Sequence, residues 1–386
     1  MISQVIKDSD FLDNLEDNVD RFLLSLRKPD RSGCYFPCRS GRTKLGGQAE
    51  LGLSCFALKI YHTLGWWSRT DRTIRSQWID HIQSFQLTRE GLDPQFQNAF
   101  IDPVLVDYLR EPSVSQFFSR LRSTSLQELA KGLFYESTLK PYQRAIVAET
   151  KQAIATLAEV GEAPTHPFSS FPHTPKDVHN YMAGFDWSLP WGAGGQTAGL
   201  TVFLVTQAPR LYSPATSAEL QAAAGAFFRS ILDDDSGGYF QGRPPSHGLL
   251  VNGAMKVLTA LDWLKEPIHL PERLIDTVLQ YPPRADGCHL VDAVYVLYRC
   301  TLQKKYRHRD VNTYLLNCLS MIREHQQLDG GFSYGVNQAQ KWYYGLPISR
   351  GVKEGDMHGT VLLTWALAMI TTVVWPGKHS WQILKP

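Results

Sequence analysis

The sequence predicts an all-α protein, one ring of helical hairpins joined by Gly/Asp/aromatic turns. Three observations carry this. A phrase occurs twice in the second half: Leu232-Asp233-Asp234-Asp235-Ser236-Gly237-Gly238-Tyr239-Phe240 precedes an apolar helix opening at His247-Gly248, and Leu328-Asp329-Gly330-Gly331-Phe332 precedes one opening at His358-Gly359. Apolar residues recur at three- and four-residue spacing between these turns, and strand-like alternation is scarce. The unit is a helix, a turn closed by an aromatic, and a second helix, so the fold is built by repetition. A single hairpin cannot bury its apolar face alone. Copies therefore stack as an open superhelix or close as a ring, and the chain length favours closure.

Taken in order, the first copy is Phe22 to Leu26, then Gly33-Cys34-Tyr35-Phe36, then a helix start at Gly46-Gly47-Gln48. Leu51 to Leu64 continues it. Ile82 to Gln86 before Gly91-Leu92-Asp93-Pro94-Gln95-Phe96 is a second first half, and Gly194-Gly195-Gln196 echoes the earlier start. Helical periodicity follows over Thr216–Leu232, Leu249–Leu264, Leu290–Leu302, Val311–His325 and Thr360–Thr372, with Gly237-Gly238, Pro244-Pro245, Pro282-Pro283 and Gly330-Gly331 as punctuation. The whole chain, 1–386, reads as one domain. A long ordered loop is expected around 164–192, where Pro, His and Ser mix with aromatics.

Composition sets the outer bounds. Hydrophobic residues at 43% and charged residues at 20% describe a globule with ample core, and a net charge of +2 gives no electrostatic footprint for nucleic acid. The beginning of the chain lacks the basic-then-apolar order of a signal peptide, and no stretch reaches about 18 apolar residues. A cytoplasmic protein without a transmembrane segment is expected, peripheral membrane contact being left open. Six cysteines suit reduced thiols rather than a disulfide framework. Cys34 and Cys38 have metal-like spacing, but no second pair completes four ligands.

The Leu-Asp-Gly-Gly-Phe turn, the aromatic-rich repeats and the hairpins resemble the α/α toroids of squalene-hopene cyclases and protein prenyltransferase β subunits. Leu290-Val291-Asp292-Ala293-Val294-Tyr295 is similar to the prenyltransferase segment Leu-Val-Asp-Gly-Cys-Tyr, and Gly355 to Thr360 is similar to that family's later Asp/His helix start. The resemblance implies a zinc site. Asp292 and His358 match its ligands, whereas the cysteine position is Val294; Cys288, four residues before Asp292, is the substitute. The cyclase resemblance also departs from pattern, because Asp233-Asp234-Asp235 sits in the repeat turn without Asp-x-Asp-Asp spacing. One of these aspartates is expected to cap the turn while the others face water. No cofactor is otherwise expected.

In a ring, the recurring helix starts bring Gln48, Gln196, His247 and His358 to one rim, where helix N-termini gather; capping is the alternative role for each. The segment from His179 through Tyr181, Asp186, Trp187 and Trp191 to Gln196 is the densest in polar and aromatic groups. Asp186 is expected there between aromatics that would desolvate it. Tyr343, Tyr344 and Arg350 form a third cluster before the last helix, as a lid or a surface loop.

The leading expectation is a terpene-cyclase-like enzyme that works by acid-initiated cyclisation or rearrangement of an isoprenoid or similar hydrophobic small molecule. Asp356 or Asp186 is the acid, His358 its hydrogen-bond partner, and Trp187, Trp191, Tyr343 and Tyr344 the walls. The alternative is a carbohydrate-active lyase or epimerase in which His179, His247, Tyr181 and Arg350 abstract a proton and neutralise a uronate carboxylate. A non-catalytic toroid that binds a lipid or peptide is the third. The fold does not choose among them.

Overall fold

The computed structural model describes residues 10–29, 31–86, 93–110, 139–285 and 287–386. Gly91 and Leu92 of the second repeat copy, and Asp286, lie outside the described residues. Thirteen helices of eight residues or more stand among the described ones. In chain order they are α1 (Leu15–Leu26), α2 (Leu51–Thr63), α3 (Arg72–Gln83), α4 (Pro103–Arg110), α5 (Pro141–Glu159), α6 (Pro175–Ala183) and α7 (Pro190–Thr206). Then follow α8 (Pro214–Ser230), α9 (His247–Leu264), α10 (Pro271–Leu279), α11 (Gly287–Gln303), α12 (His308–His325) and α13 (Met357–Val374). A two-stranded antiparallel ribbon, β1 (Trp342–Tyr343) and β2 (Leu346–Pro347), precedes α13.

The ring closes. Helix α2 packs on α5, α5 on α7, α7 on α9, α9 on α11, α11 on α13, and α13 returns to α2. The other described helices lie outside, one between each successive pair of inner helices from α5 onward and two, α3 and α4, between α2 and α5. Sequence dictates the sorting. Helix α13 is apolar all round and buried over most of its length, as an inner position requires, whereas α12 buries one stripe of Val311, Leu315, Cys318, Leu319 and Ile322. Helix α13 is also long and apolar enough to cross a membrane, but 78% of it is buried within the protein.

The repeat predicted from sequence recurs as geometry. An isolated antiparallel bridge closes the turn after an outer helix at Arg27–Tyr35, Gln86–Phe100, Leu232–Tyr239 and Gln326–Phe332. Gly330 shows why glycine is required: its φ is +96°, and a Cβ there would lie 2.2 Å from the Asn18 carbonyl oxygen. In the triple-aspartate copy, Asp233 Oδ2 accepts from the Ser236 amide (2.9 Å) and hydroxyl (2.5 Å), while Asp234 and Asp235 are exposed. That is the capping arrangement expected.

The expected loop over 164–192 is corrected. Its middle is helix α6, which Thr174 caps by accepting from the Asp177 amide, with Pro175 at the first helical position and Val178 and Met182 buried. At the opposite end of the ring the C-terminal segment forms a floor. The Gln382 amide donates to Thr63 O (2.7 Å) and the Lys385 amide to Glu159 Oε2 (2.9 Å). Trp365 Nε1 donates to Leu384 O, and Trp263 Nε1 to Pro386 O. This segment thus ties the far ends of α2, α5 and α9 and the body of α13 together.

Candidate functional site

The N-terminal ends of α7, α9 and α11 meet around a cavity of about 220 Å³. Trp191 and Gly192 reach it from α7, Asn252 from α9, Cys288 and His289 from α11, and Arg284 from the loop before α11. The Trp191 indole N–H is buried without a hydrogen-bond partner. His289 Nδ1 lies 2.8 Å from Asn252 Oδ1, and Cys288 Sγ lies 2.9 Å from Tyr334 Oη. With Asn252 Oδ1 as acceptor, the imidazole proton resides on Nδ1 and Nε2 is the basic nitrogen. A larger cavity of about 760 Å³ lies between α5, α6 and α7, with Gln196, Tyr181 and Val147 in its wall.

The last inner helix begins with a pair whose electrostatics oppose. Asp356 is the N-cap of α13: Oδ1 accepts from the Gly359 amide (2.7 Å), and Oδ2 from the amides of Tyr334 (2.7 Å) and Gln340 (3.0 Å). Burial pushes its carboxyl up to about 6 against the pull of these amides. The His358 ring is stacked between Phe56 (4.9 Å, 15°) and Tyr334 (5.2 Å, 12°). Burial pushes this imidazole down to about 4, with help from the ammonium groups of Lys256 and Lys59. The expected Asp356–His358 side-chain hydrogen bond does not form, because the carboxylate faces backbone amides; His358 Nδ1 is buried and unpartnered.

A second buried acid group joins α5 to the ribbon. Tyr343 Oη donates to Glu149 Oε1 at 3.0 Å, and the Asp102 amide donates to Glu149 Oε2 at 3.3 Å. Burial, then the neighbouring Asp102, holds the Glu149 carboxyl well above the usual range. Asp102 itself caps α2, accepting from the Glu50 and Leu51 amides, and is raised by burial. Gly52 makes room for this group, since a Cβ there would meet the Tyr343 hydroxyl.

The remaining sequence candidates scatter. Asp186 is exposed, with Oδ1 accepting from the Ser188 amide and hydroxyl, so the aromatics do not desolvate it. Trp187 is 2% exposed and packs on Phe227, with its N–H donated to Met182 O; it is core, not cavity wall. His247 turns outward to Thr277 O and stacks at 4.5 Å on Tyr281. His179, Tyr181, Tyr344 and Gln48 are exposed. Arg350 is also exposed and donates to Ser40 O. The pairing of His179, His247, Tyr181 and Arg350 into one site is therefore not formed.

Asp292, Cys288 and His358 do not converge as ligands. Among the described residues, the His/Cys/carboxylate group whose ligand atoms lie within 4.8 Å of one another is Cys34, Glu50 and His81. There Lys28 (2.9 Å) and Arg31 (2.6 Å) already neutralise Glu50, and their charge opposes a divalent ion.

Arg284, His289, Asn252, Asp102 and Glu149 were not singled out from sequence. Asn252, His289 and Glu149 lie within helices, and Arg284 and Asp102 in the turns before helices; none carried a signal in the sequence.

No family model matches the chain, and no curated protein matches it. Among solved structures, the chain is similar to a GH76 alpha-mannanase of Bacteroides thetaiotaomicron, at 10% identity over 94% of this chain and 95% of that one, with a TM-score of 0.38. Closure of the ring rests on the packing of this chain's own helices.

Proposed function

We propose that this toroid is a carbohydrate-active enzyme that binds a carboxylate-bearing sugar at the mouth of the ring and acts by proton abstraction, as a lyase or epimerase. The observation that carries this reading is that Trp191, Arg284 and His289 share one small cavity. An indole face stacks on a sugar ring. The guanidinium of Arg284 pairs with the carboxylate and lowers the energy of the enolate that forms when the adjacent carbon loses its proton. His289 Nε2 takes that proton. The electron pair then either expels the glycosidic oxygen on the neighbouring carbon, leaving a carbon–carbon double bond while the departing oxygen takes the proton back from the His289 imidazolium, or is reprotonated on the opposite face. Cys288, beside the Tyr334 hydroxyl, is the proton source for the second outcome. At about 220 Å³ the cavity is below the about 300–1,000 Å³ of drug-sized sites, which suits one ring rather than a chain.

A panel of oligouronides tests the reading. Elimination gives a conjugated product seen by ultraviolet absorbance, and epimerisation in deuterated water gives deuterium at the carbon next to the carboxylate. Absence of both, together with no uronide binding by calorimetry, rejects it.

A second reading, acid-initiated chemistry on an isoprenoid, is favoured by one observation: Glu149 is a carboxyl whose ionisation is disfavoured by burial and by Asp102. Turnover of a polyprenyl substrate that is lost in Glu149→Gln but retained in Arg284→Ala would select it over the first.

A further inference from the structure

We propose that the axis of the ring is an oxyanion-binding chamber in which Lys59, Lys151 and Lys256, from three different inner helices, close around a phosphate or sulfate group. Lys256 lies further along its helix than the mouth-cavity residue Asn252, and neither site requires the other.

Placement comes first. Lys256 stands one turn below Asn252 on α9, on the face that reaches the mouth cavity, and Lys151 one turn below Val147 on α5, which lines the larger cavity. Both lean on α7 where that helix offers glycine instead of a side chain. Lys256 Cβ lies beside Gly194 and Lys151 Cγ beside Gly199. Lys59 approaches from α2, is 7% exposed, and has its Nζ 3.5 Å from Gln152 Oε1. Lys151 and Lys256 keep part of their surface accessible although each belongs to an inner helix.

Charge comes second. Among the described residues no carboxylate forms an ion pair with any of the three lysines. The carboxylate that acts on Lys59 from further off, Glu159, is already held by the Lys385 amide and ammonium. Lys59 and Lys256 both act on Lys151 and on His358, and burial together with these neighbours holds Lys151 well below its ordinary value. Cys55 is the other titratable group facing Lys59.

Hydrogen-bonding capacity comes third. Gln152 is 8% exposed and its Nε2 is buried with no acceptor. Three lysine side chains and an unpartnered amide N–H make a lining in which donors outnumber acceptors. Three ammonium groups without a counter-charge are strongly unfavourable there, and an oxyanion with several acceptor atoms lets the lysines carry their protons together.

Calorimetry and thermal melts with inorganic phosphate, inorganic sulfate and chloride at matched ionic strength test the chamber. Phosphate or sulfate should bind one per chain and raise Tm by several degrees relative to chloride. Lys151→Met and Lys256→Met should each weaken that binding at least about tenfold while melting in chloride at or above the wild-type temperature, because an amine whose protonation is opposed by burial or by neighbouring lysines has been replaced by an apolar chain of similar length. A hexose phosphate that binds more than about tenfold tighter than inorganic phosphate would assign the group to a substrate, and equal affinity would assign it to a free ion. Wild-type protein with the same Tm in all three salts and no binding heat overturns the proposal, whether or not the variants fold. Undiminished phosphate binding by folded Lys151→Met also overturns it.

Discussion

The Tyr343 hydroxyl donates to Glu149 Oε1 at 3.0 Å across 194 residues of sequence, tying the ribbon before the last inner helix to the middle of α5. The tyrosine donates to an acid whose ionisation burial disfavours. In the unfolded chain Glu149 loses its proton in the ordinary carboxylate range; in the folded chain it does so only well above it. Stability from this group is therefore complete at low pH and declines as pH rises past the ordinary range. Glu149→Gln keeps an acceptor for Tyr343 and removes the titration. Its Tm should match wild type near pH 4 and exceed it increasingly toward pH 8, as followed by circular dichroism.

His358 has the opposite slope. Its folded value of about 4 lies below the ordinary 6.5, so the unfolded chain binds a proton first and stability is lost as pH falls from about 6.5 to 4. Replacement by Phe preserves the stack between Phe56 and Tyr334. Denaturant melts should show His358→Phe losing less stability than wild type over that window, by on the order of 2 kcal/mol after allowing for the ring's partial exposure.

Asp356 offsets that slope in wild type. Raised from 3.8 to about 6, it makes stability fall as pH climbs through that interval, so the two groups nearly cancel. Asp356→Asn turns an amide toward backbone N–H donors and should cost about 2 kcal/mol or more at pH 7. The same variant should become more acid-labile than wild type below about pH 6, because the compensating titration has gone. A stability profile parallel to wild type in Asp356→Asn would mean the carboxylate does not titrate there.

Arg284 is exposed, so Arg284→Ala should melt within about a degree of wild type. Its kcat/KM on a uronide should drop by about a hundredfold or more. Trp191→Ala should raise KM more than it lowers kcat, the pattern of lost stacking. Equal turnover by Arg284→Ala and wild type would remove the mouth cavity from the chemistry.

The repeat turns and the inner helices α2, α9, α11 and α13 were legible in the sequence because local chemistry decides them, whereas α5 was not read as a helix. Gly330 is needed at positive φ, Tyr239 and Phe332 are buried below their turns, and α13 is apolar on every side. Trp187 and Trp191 look alike in sequence, four residues apart, yet one is packed into the core and the other lines a cavity; only tertiary packing separates them. Glu149 meets Asp102 across 47 residues and Tyr343 across 194, distances at which no spacing rule operates. The lysines left a weaker trace. Lys59 and Lys256 each stand inside an apolar run, which marks a charge that must find a use or a partner in the interior.

The C-terminal segment works as a brace. It joins the far ends of α2, α5 and α9 to the body of α13, largely through its own main-chain groups, so helices distant in sequence cannot spread independently. Opening the ring at that end requires several of these bonds to break together.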